Sequence, residues 1–356
     1  MILNTRLFGA LRDVRGLTQL DLQEATGLRQ GYLSMLESGL RQPSDDALAQ
    51  LATALDVPPA LLTDTTPVRG GEAQDLHFRR RKTLPVREHR RFEGKLHLAY
   101  VTVQGLLQGV DFEPTLPLPL IDIDESGDAA EAARRVRRLW RLPTGPVRDV
   151  TSYLEAAGMF LVPVDAPGKV DAVTRRGEHG WHVTVYNRSM PGDRDRLTKT
   201  HEAAHLVLHE RSFGHETEDD ANLFAAEFLT PAAEIEPDLR GLSTRDVGRL
   251  MDLRLHWGVS LPFLVHRAQD LGCISPRAAK SLYTALNARG WLHGTIDDRV
   301  PVEQPTLLAK IVELHRVQHG YTVGDLAAAA LMTQERVLTD LLPGDGGERP
   351  RLVRVR

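Results

Sequence analysis

Apolar positions recur at helical spacing along most of the chain, with only short stretches that alternate in the manner of strands. Leu7, Leu11 and Val14 mark a first helix. Thr18 stands where it can cap a second, with Gln19 just inside it and Gly27 making the turn that follows. A third helix is predicted from Gln30 to Glu37, a fourth over 44–55 from Ser44, and a short fifth near Pro58. Residues 65–72, rich in Thr, Pro and Gly, read as a linker, and the acidic, Pro-containing stretch 111–128 reads as a loop. Residues 147–162 predict a helix followed by a strand at 159–162, and 181–187 alternates like a second strand. An apolar stretch over 198–209 contains neither Pro nor Gly and predicts a half-buried helix. The next helix runs from about 217 to Pro231, with acidic residues at its start, where the positive end of a helix dipole favours them. Short helices and turns follow around 257–275, and helical periodicity returns over 304–343.

At 356 residues the chain is long enough for two or three domains. With 42% hydrophobic and 26% charged residues it reads as globular, and no run of about 18 apolar residues exists to span a membrane. The single cysteine, Cys273, excludes a disulfide framework within the chain, and it reads as a small apolar packing residue. The opening residues lack a secretory pattern. Together these features give a cytoplasmic expectation. The net charge of −4 provides no global attraction to nucleic acid. Charge is uneven, however. Residues 1–65 hold five Arg and no Lys against eight Asp or Glu, whereas residues 77–97 hold eight Lys or Arg against two Glu. That basic stretch can clamp a DNA backbone or pair with acidic surfaces of the same chain. Arg134, Arg135, Arg137 and Arg138 are expected on an exposed helix face leading to Trp140.

The chemistry concentrates in His201-Glu202-Ala-Ala-His205. Four residues apart on a helix, the two histidines share one face, a spacing that suits one zinc ion at about 2.0–2.1 Å from each nitrogen. Glu202 lies beside them, placed to take a proton from a metal-bound water. Catalytic zinc takes a third protein ligand. The pattern H-E-x-x-H-x-x-G-x-x-H is excluded, because Leu208 and Arg211 occupy its last two key positions. His209 lies about 12 Å from His201 along a helix axis, too far to share the ion. Glu218, near the start of the following helix, is the better candidate, and Asn222 one turn later can hydrogen-bond a ligand histidine from behind. Glu216 with Asp220 offers the same spacing, and each of these carboxylates can instead be a solvated helix-start acid.

The string Glu218-x-x-Ala221-Asn222-x-Phe224-Ala225-Ala226-Glu227-Phe228-Leu229-x-Pro231 resembles the second signature of the ImmA/IrrE metallopeptidases. Arg196-Leu197-Thr198 with His201-Glu202-Ala-Ala-His205 resembles the first, with Ala204 where Gly is common and Thr200 where Ala is common. The resemblance implies a thermolysin-like (zincin) α+β domain with a small sheet, a zinc ion on His201, His205 and Glu218, and Glu202 as the base. Mn2+ or Fe2+ also suits such a donor set. It further implies that residues 181–187 form an edge strand that pairs with an extended substrate. Tyr186 and His215 are candidates for an added oxyanion donor.

At the amino terminus, Leu17-Thr18-Gln19, Leu22, Gly27, Tyr32-Leu33-Ser34, Leu36-Glu37-Ser38-Gly39 and Arg41-x-Pro43-Ser44 resemble the XRE or lambda-repressor-like helix-turn-helix family, which implies a five-helix domain. In that geometry the third helix enters the major groove. Arg29, Gln30 and Tyr32 then face bases, and Gln19, Ser34 and Arg41 lie near phosphates. Gln23 replaces the usual small residue after Leu22, which predicts a slightly opened turn. The acidic charge of this domain predicts weak DNA binding by a monomer, and a helix-turn-helix used for protein contacts is the competing reading. Tyr321-Thr-Val-Gly-Asp325-Leu-Ala327 resembles a degenerate start of the same motif, set against a plain packing or dimerising bundle, which admits a homodimer.

The expected organisation is multidomain and mainly α. A helix-turn-helix domain occupies 1–66, a basic linker and helical connector 67–130, a metallopeptidase domain 131–240 and a helical carboxy-terminal region 241–356. The resemblances imply a DNA-binding zinc endopeptidase that cuts a partner transcriptional repressor in response to stress or mobile-element signals. Two alternatives stand beside it. One is a transcription regulator whose peptidase-like domain only senses or binds a partner. The other is an antitoxin-like protein that binds without turnover.

Overall fold

The computed structural model describes residues 2–66, 86–123, 127–166, 171–208, 215–292 and 300–343. The chain divides into two compact units, one built from residues 1–112 with 306–356 and the other from 113–305. The helical region expected as one block over 241–356 is therefore shared between the units. The basic run Phe78–Lys82 and His209 lie outside the described residues.

In the first unit, α1 (Thr5–Arg15) is capped by the Asn4 side chain and ended by Gly16 at φ 72°. Helix α2 (Gln19–Thr26) opens with a capping box in which Thr18 and Asp21 satisfy each other's backbone N–H groups, and Gly27 ends it at φ 72°. Helices α3 (Gln30–Glu37), α4 (Asp45–Leu55, capped by Ser44) and α5 (Pro59–Leu62) follow. Leu7, Phe8, Leu11, Leu22, Leu33, Leu36, Leu51 and Leu55 form the buried interior. The turn that Gln23 was expected to open is instead closed by it, because Gln23 Oε1 accepts from Gln30 N at 2.9 Å and so caps α3.

Helix α6 (Val86–Leu107) supports both ends of this unit. At Gly94, an added Cβ would meet Val14 of α1 at 2.5 Å, and at Gly105 it would meet the Ala329 carbonyl. Eleven residues is close to three helical turns, so both packing points lie on nearly one face, about 16 Å apart.

The carboxy-terminal helices of the first unit repeat the turns and caps of the amino-terminal motif. Helix α15 (Leu307–Gln318) leads to Gly320 at φ 66°, and Thr322 and Asp325 form a capping box on α16 (Val323–Ala329). Leu331 at φ 50° makes the turn, and Thr333 caps α17 (Gln334–Arg336), which continues as a π-helix over Val337–Leu341. Gly320, Thr322, Asp325, Leu331 and Gln334 each lie 304 residues after Gly16, Thr18, Asp21, Gly27 and Gln30 respectively. Thr102 Oγ1 donates to the Ala330 carbonyl, and a His315 ring nitrogen lies 2.6 Å from the Leu106 carbonyl, tying this motif to α6.

In the second unit, α7 (Ala129–Leu139) and α8 (Val150–Ala156) precede a three-stranded sheet of β1 (Met159–Val164), β2 (Ala172–Arg176) and β3 (His182–Asn187). The order is β1-β3-β2, with β3 parallel to β1 and antiparallel to β2. The segment expected as an edge strand is therefore the centre of the sheet, which its almost wholly buried residues explain. The long helices α9 (Gly192–Leu208) and α10 (His215–Leu229) pack against α7 and the sheet. Helices α11 (Ala232–Leu239), α12 (Val247–Trp257), α13 (Leu261–Asp270) and α14 (Pro276–Ala288) complete the unit. Trp140, Met159, Leu161, Phe224, Phe228, Trp257 and Leu264 belong to its core. No described helix is long and apolar enough to cross a membrane.

Arg137 corrects the expectation for the arginine-rich helix. It is only 7% exposed, and its guanidinium donates to the carbonyls of Phe228, Pro143 and Gly145. Arg134 is half-buried and bonds Glu131 and Glu227, while Arg138 is exposed and held by Glu131. Cys273 is half-buried, with its Sγ 3.8 Å from the Glu236 carbonyl, and burial pushes its pKa up.

Candidate metal centre

Helix α9 starts after Pro191, and its first turn carries Asp193 and Asp195. Both acids are buried and paired, Asp193 with Arg254 at 3.2 Å and Asp195 with Lys199 at 2.7 Å. Lys199 Nζ also donates to Thr151 Oγ1 at 3.1 Å and sits 4.2 Å from the centre of the Tyr186 ring. Arg196 donates to the Val147 carbonyl and pairs with Glu303. These bonds fix the rotation of α9 one turn before the histidines. At its other end, Arg176 of β2 donates to the carbonyls of Leu206 (2.6 Å) and His205 (3.4 Å), satisfying acceptors that a helix end leaves open.

Held in this way, His201 and His205 direct their Nε2 atoms to one point, 3.1 Å apart, with ring planes at 84°. Glu218, near the start of α10, places Oε2 3.6 Å from His201 Nε2 and Oε1 3.5 Å from His205 Nε2. Three donors held at about 2.0–2.1 Å around a tetrahedral ion lie about 3.4 Å from one another, so these spacings fit one zinc-sized ion. All three side chains are half-buried, as is Glu202, the next residue along α9. Glu218, rather than Asp220, is the α10 carboxylate that joins the pair among the described residues.

The rest of α10 is anchored from behind. Glu227 is buried, accepts from Arg267 and from Arg134 at 3.0 Å, and takes the Ala232 N–H at 3.2 Å. The Glu-Phe-Leu-x-Pro end of the second signature is thus a packing anchor that holds Glu218 in register with α9.

Two expected contributors are placed differently. Asn222 is exposed, and no hydrogen bond joins it to either histidine among the described residues. Tyr186 is a core residue beneath Lys199, where burial and the charges of Asp195 and Glu155 hold its hydroxyl protonated. Its place in the core assigns it to packing, although a protonated hydroxyl is the form an oxyanion donor needs. The side chains of His215 and Glu216 lie outside the described residues. Arg176 and His182 were not singled out from the sequence. His182 is buried on β3, and its pKa falls to about 4 through desolvation and the charge of Arg176.

In the first unit, the expected DNA-facing residues share one region. Gln30 donates to Gln19 Oε1 at 2.7 Å, and Gln19 donates to Glu37 Oε2 at 2.7 Å. Arg29, Gln30, Ser34 and Arg41 are exposed, Tyr32 is half-buried, and Arg41 lies over its ring at 5.0 Å.

Fold and donor set define a class: a helix-turn-helix protein that also carries the helix pair of a metallopeptidase-type site. Comparison with known proteins agrees. A family model described as "Helix-turn-helix" matches residues 10–62, and one described as "IrrE N-terminal-like domain" matches residues 165–269. The chain is 44% identical over 63 residues to the uncharacterised HTH-type transcriptional regulator y4dJ of Sinorhizobium fredii, a match covering 82% of that protein and 17% of this chain. The chain belongs to the XRE-type helix-turn-helix family and carries an ImmA/IrrE-type domain in the same polypeptide.

Proposed function

We propose that the chain is a DNA-binding zinc metallo-endopeptidase that cleaves a transcriptional repressor or similar regulatory protein, and thereby controls stress-response or mobile-element genes. The observation that carries this reading is the convergence of His201, His205 and Glu218 at ion-binding spacing beside Glu202. When bound, a zinc ion (or Mn2+ or Fe2+) lowers the pKa of a water and polarises a peptide carbonyl. The Glu202 carboxylate accepts a proton from the attacking water and returns it to the departing amine. An extended substrate fits the outer edge of β2, because β3 is paired on both sides and, of the two edge strands, β2 reaches the metal-bearing helix through Arg176. The helix-turn-helix unit brings this chemistry to a target on DNA.

The alternative is a transcriptional regulator whose peptidase-like domain is a non-catalytic sensor or partner-binding module; the relative matched over 63 residues is named as a transcriptional regulator, which fits both readings. Glu202→Gln separates the two. The substitution is expected to leave the metal content unchanged and to remove protein termini found in cells with the wild-type chain. Control of a reporter gene that survives Glu202→Gln, with no terminus specific to the wild type, would refute the peptidase reading.

A further inference from the structure

An acidic helix-turn-helix has a physical difficulty with DNA, whose backbone is bound mainly by cations. Residues 1–65 carry five Arg against eight Asp or Glu, and part of that cationic charge is already committed. Arg12 is held by Glu37 at 2.6 Å and by the Leu17 carbonyl, and Arg15 is held by Asp56 and the Leu55 carbonyl.

A surface cavity of about 720 Å³ opens beside α2 and α3, lined by Arg12, Asp13, Thr18, Gln19, Leu20 and Gln30 and, from outside the motif, by Arg90 of α6; Asp13 is buried and paired with Arg12 at 3.4 Å. Arg90 is exposed, and no hydrogen bond or ion pair engages it among the described residues. Its position is fixed by the helix that bears it, because Gly94, one turn later, is pressed against Ala10 and Val14 of α1. Gln19 and Gln30, which share the cavity with it, are interlocked by their own hydrogen bond. A free guanidinium is thereby held at the rim of the surface expected to meet DNA.

The geometry points to Arg90 as a ligand for a DNA backbone phosphate, supplied by α6 to a helix-turn-helix in which Arg12 and Arg15 are already committed and Arg6, Arg29 and Arg41 are the exposed cations. A guanidinium suits this partner, since its fork can donate twice to one phosphodiester. The contact adds affinity without reading sequence. The inference rests on the reading that the amino-terminal unit binds DNA.

The test uses the full chain and a duplex selected by the wild type from a random-sequence pool, with an unrelated duplex beside it, in anisotropy titrations across salt concentrations. Arg90→Ala is expected to lower the slope of log K against log[salt] by about 0.9 and to weaken both duplexes about tenfold at low salt. Arg90→Lys recovers most of the slope. Gln30→Ala lowers the preference for the selected duplex and leaves the slope in place. An unchanged slope and affinity in Arg90→Ala, with Gln30→Ala still losing preference, overturns the phosphate assignment while the DNA-binding reading stands. A loss of sequence preference in Arg90→Ala without a change of slope overturns it as well. Absence of salt-dependent binding by the wild type overturns both.

Discussion

Replacing Lys199 with Met tests whether the buried charges on α9 hold the metal-bearing helix in place. Lys199 is 0% exposed and Asp195 1%, and their 2.7 Å ion pair is supplemented by Thr151. Removing the ammonium leaves Asp195 buried, with Oδ1 already lacking a hydrogen-bond partner. Breaking one side of such a pair costs about 3–5 kcal/mol, whereas replacing both charges by apolar groups of similar volume is often close to neutral. Lys199→Met should therefore destabilise the second unit by about 3–5 kcal/mol, and adding Asp195→Leu should restore most of it. Burial already raises the Asp195 pKa above 3.8, and the lysine opposes that rise. Without the lysine the folded-state pKa climbs further, so the loss is small below the unfolded carboxyl value and grows as pH rises through the folded one. Urea unfolding followed by tryptophan fluorescence, at acidic and neutral pH, measures both effects. A Lys199→Met protein within about 1 kcal/mol of wild type at neutral pH would refute the reasoning.

Two further outcomes follow from the same geometry. His182 has a folded pKa of about 4 against an ordinary 6.5, so the neutral ring stabilises the fold above pH 6.5 and that stability is lost as pH falls from 6.5 to 4. The shift corresponds to about 3 kcal/mol, and a His182→Leu protein should lack this part of the acid dependence in urea midpoints measured from pH 7 to pH 4. Asn222→Ala should change zinc affinity by less than about threefold in a chelator competition, because an exposed side chain lends the histidines no support, whereas a lost supporting bond costs about 10–100-fold.

The metal site was legible in the sequence because its information is local. Two histidines one turn apart define a face, and Glu218 lies within one short connection of it. The helix-turn-helix elements were legible for a similar reason, since Thr18, Gly27 and Ser44 act on their immediate neighbours. Thr322 and Asp325 form the same kind of capping box, which the helical periodicity of 304–343 did not separate from a plain packing bundle. Sheet order was not legible, because alternation over 181–187 says that a strand forms and not which strands flank it. Arg137 looked like a surface residue for the same kind of reason: the carbonyls that bury it include Phe228, ninety-one positions away. The place of the last helices beside α6 rests in part on Gly105, whose role appears only when Ala329 is brought against it.

The central claim is that His201, His205 and Glu218 hold one catalytic zinc ion. Elemental analysis of the purified wild type beside Glu218→Ala tests it directly. About one zinc per chain is expected in the wild type, lost or greatly weakened in the variant. A wild type that binds no metal when zinc is supplied, or a Glu218→Ala protein that holds it as tightly, would rule out a His201, His205 and Glu218 zinc site.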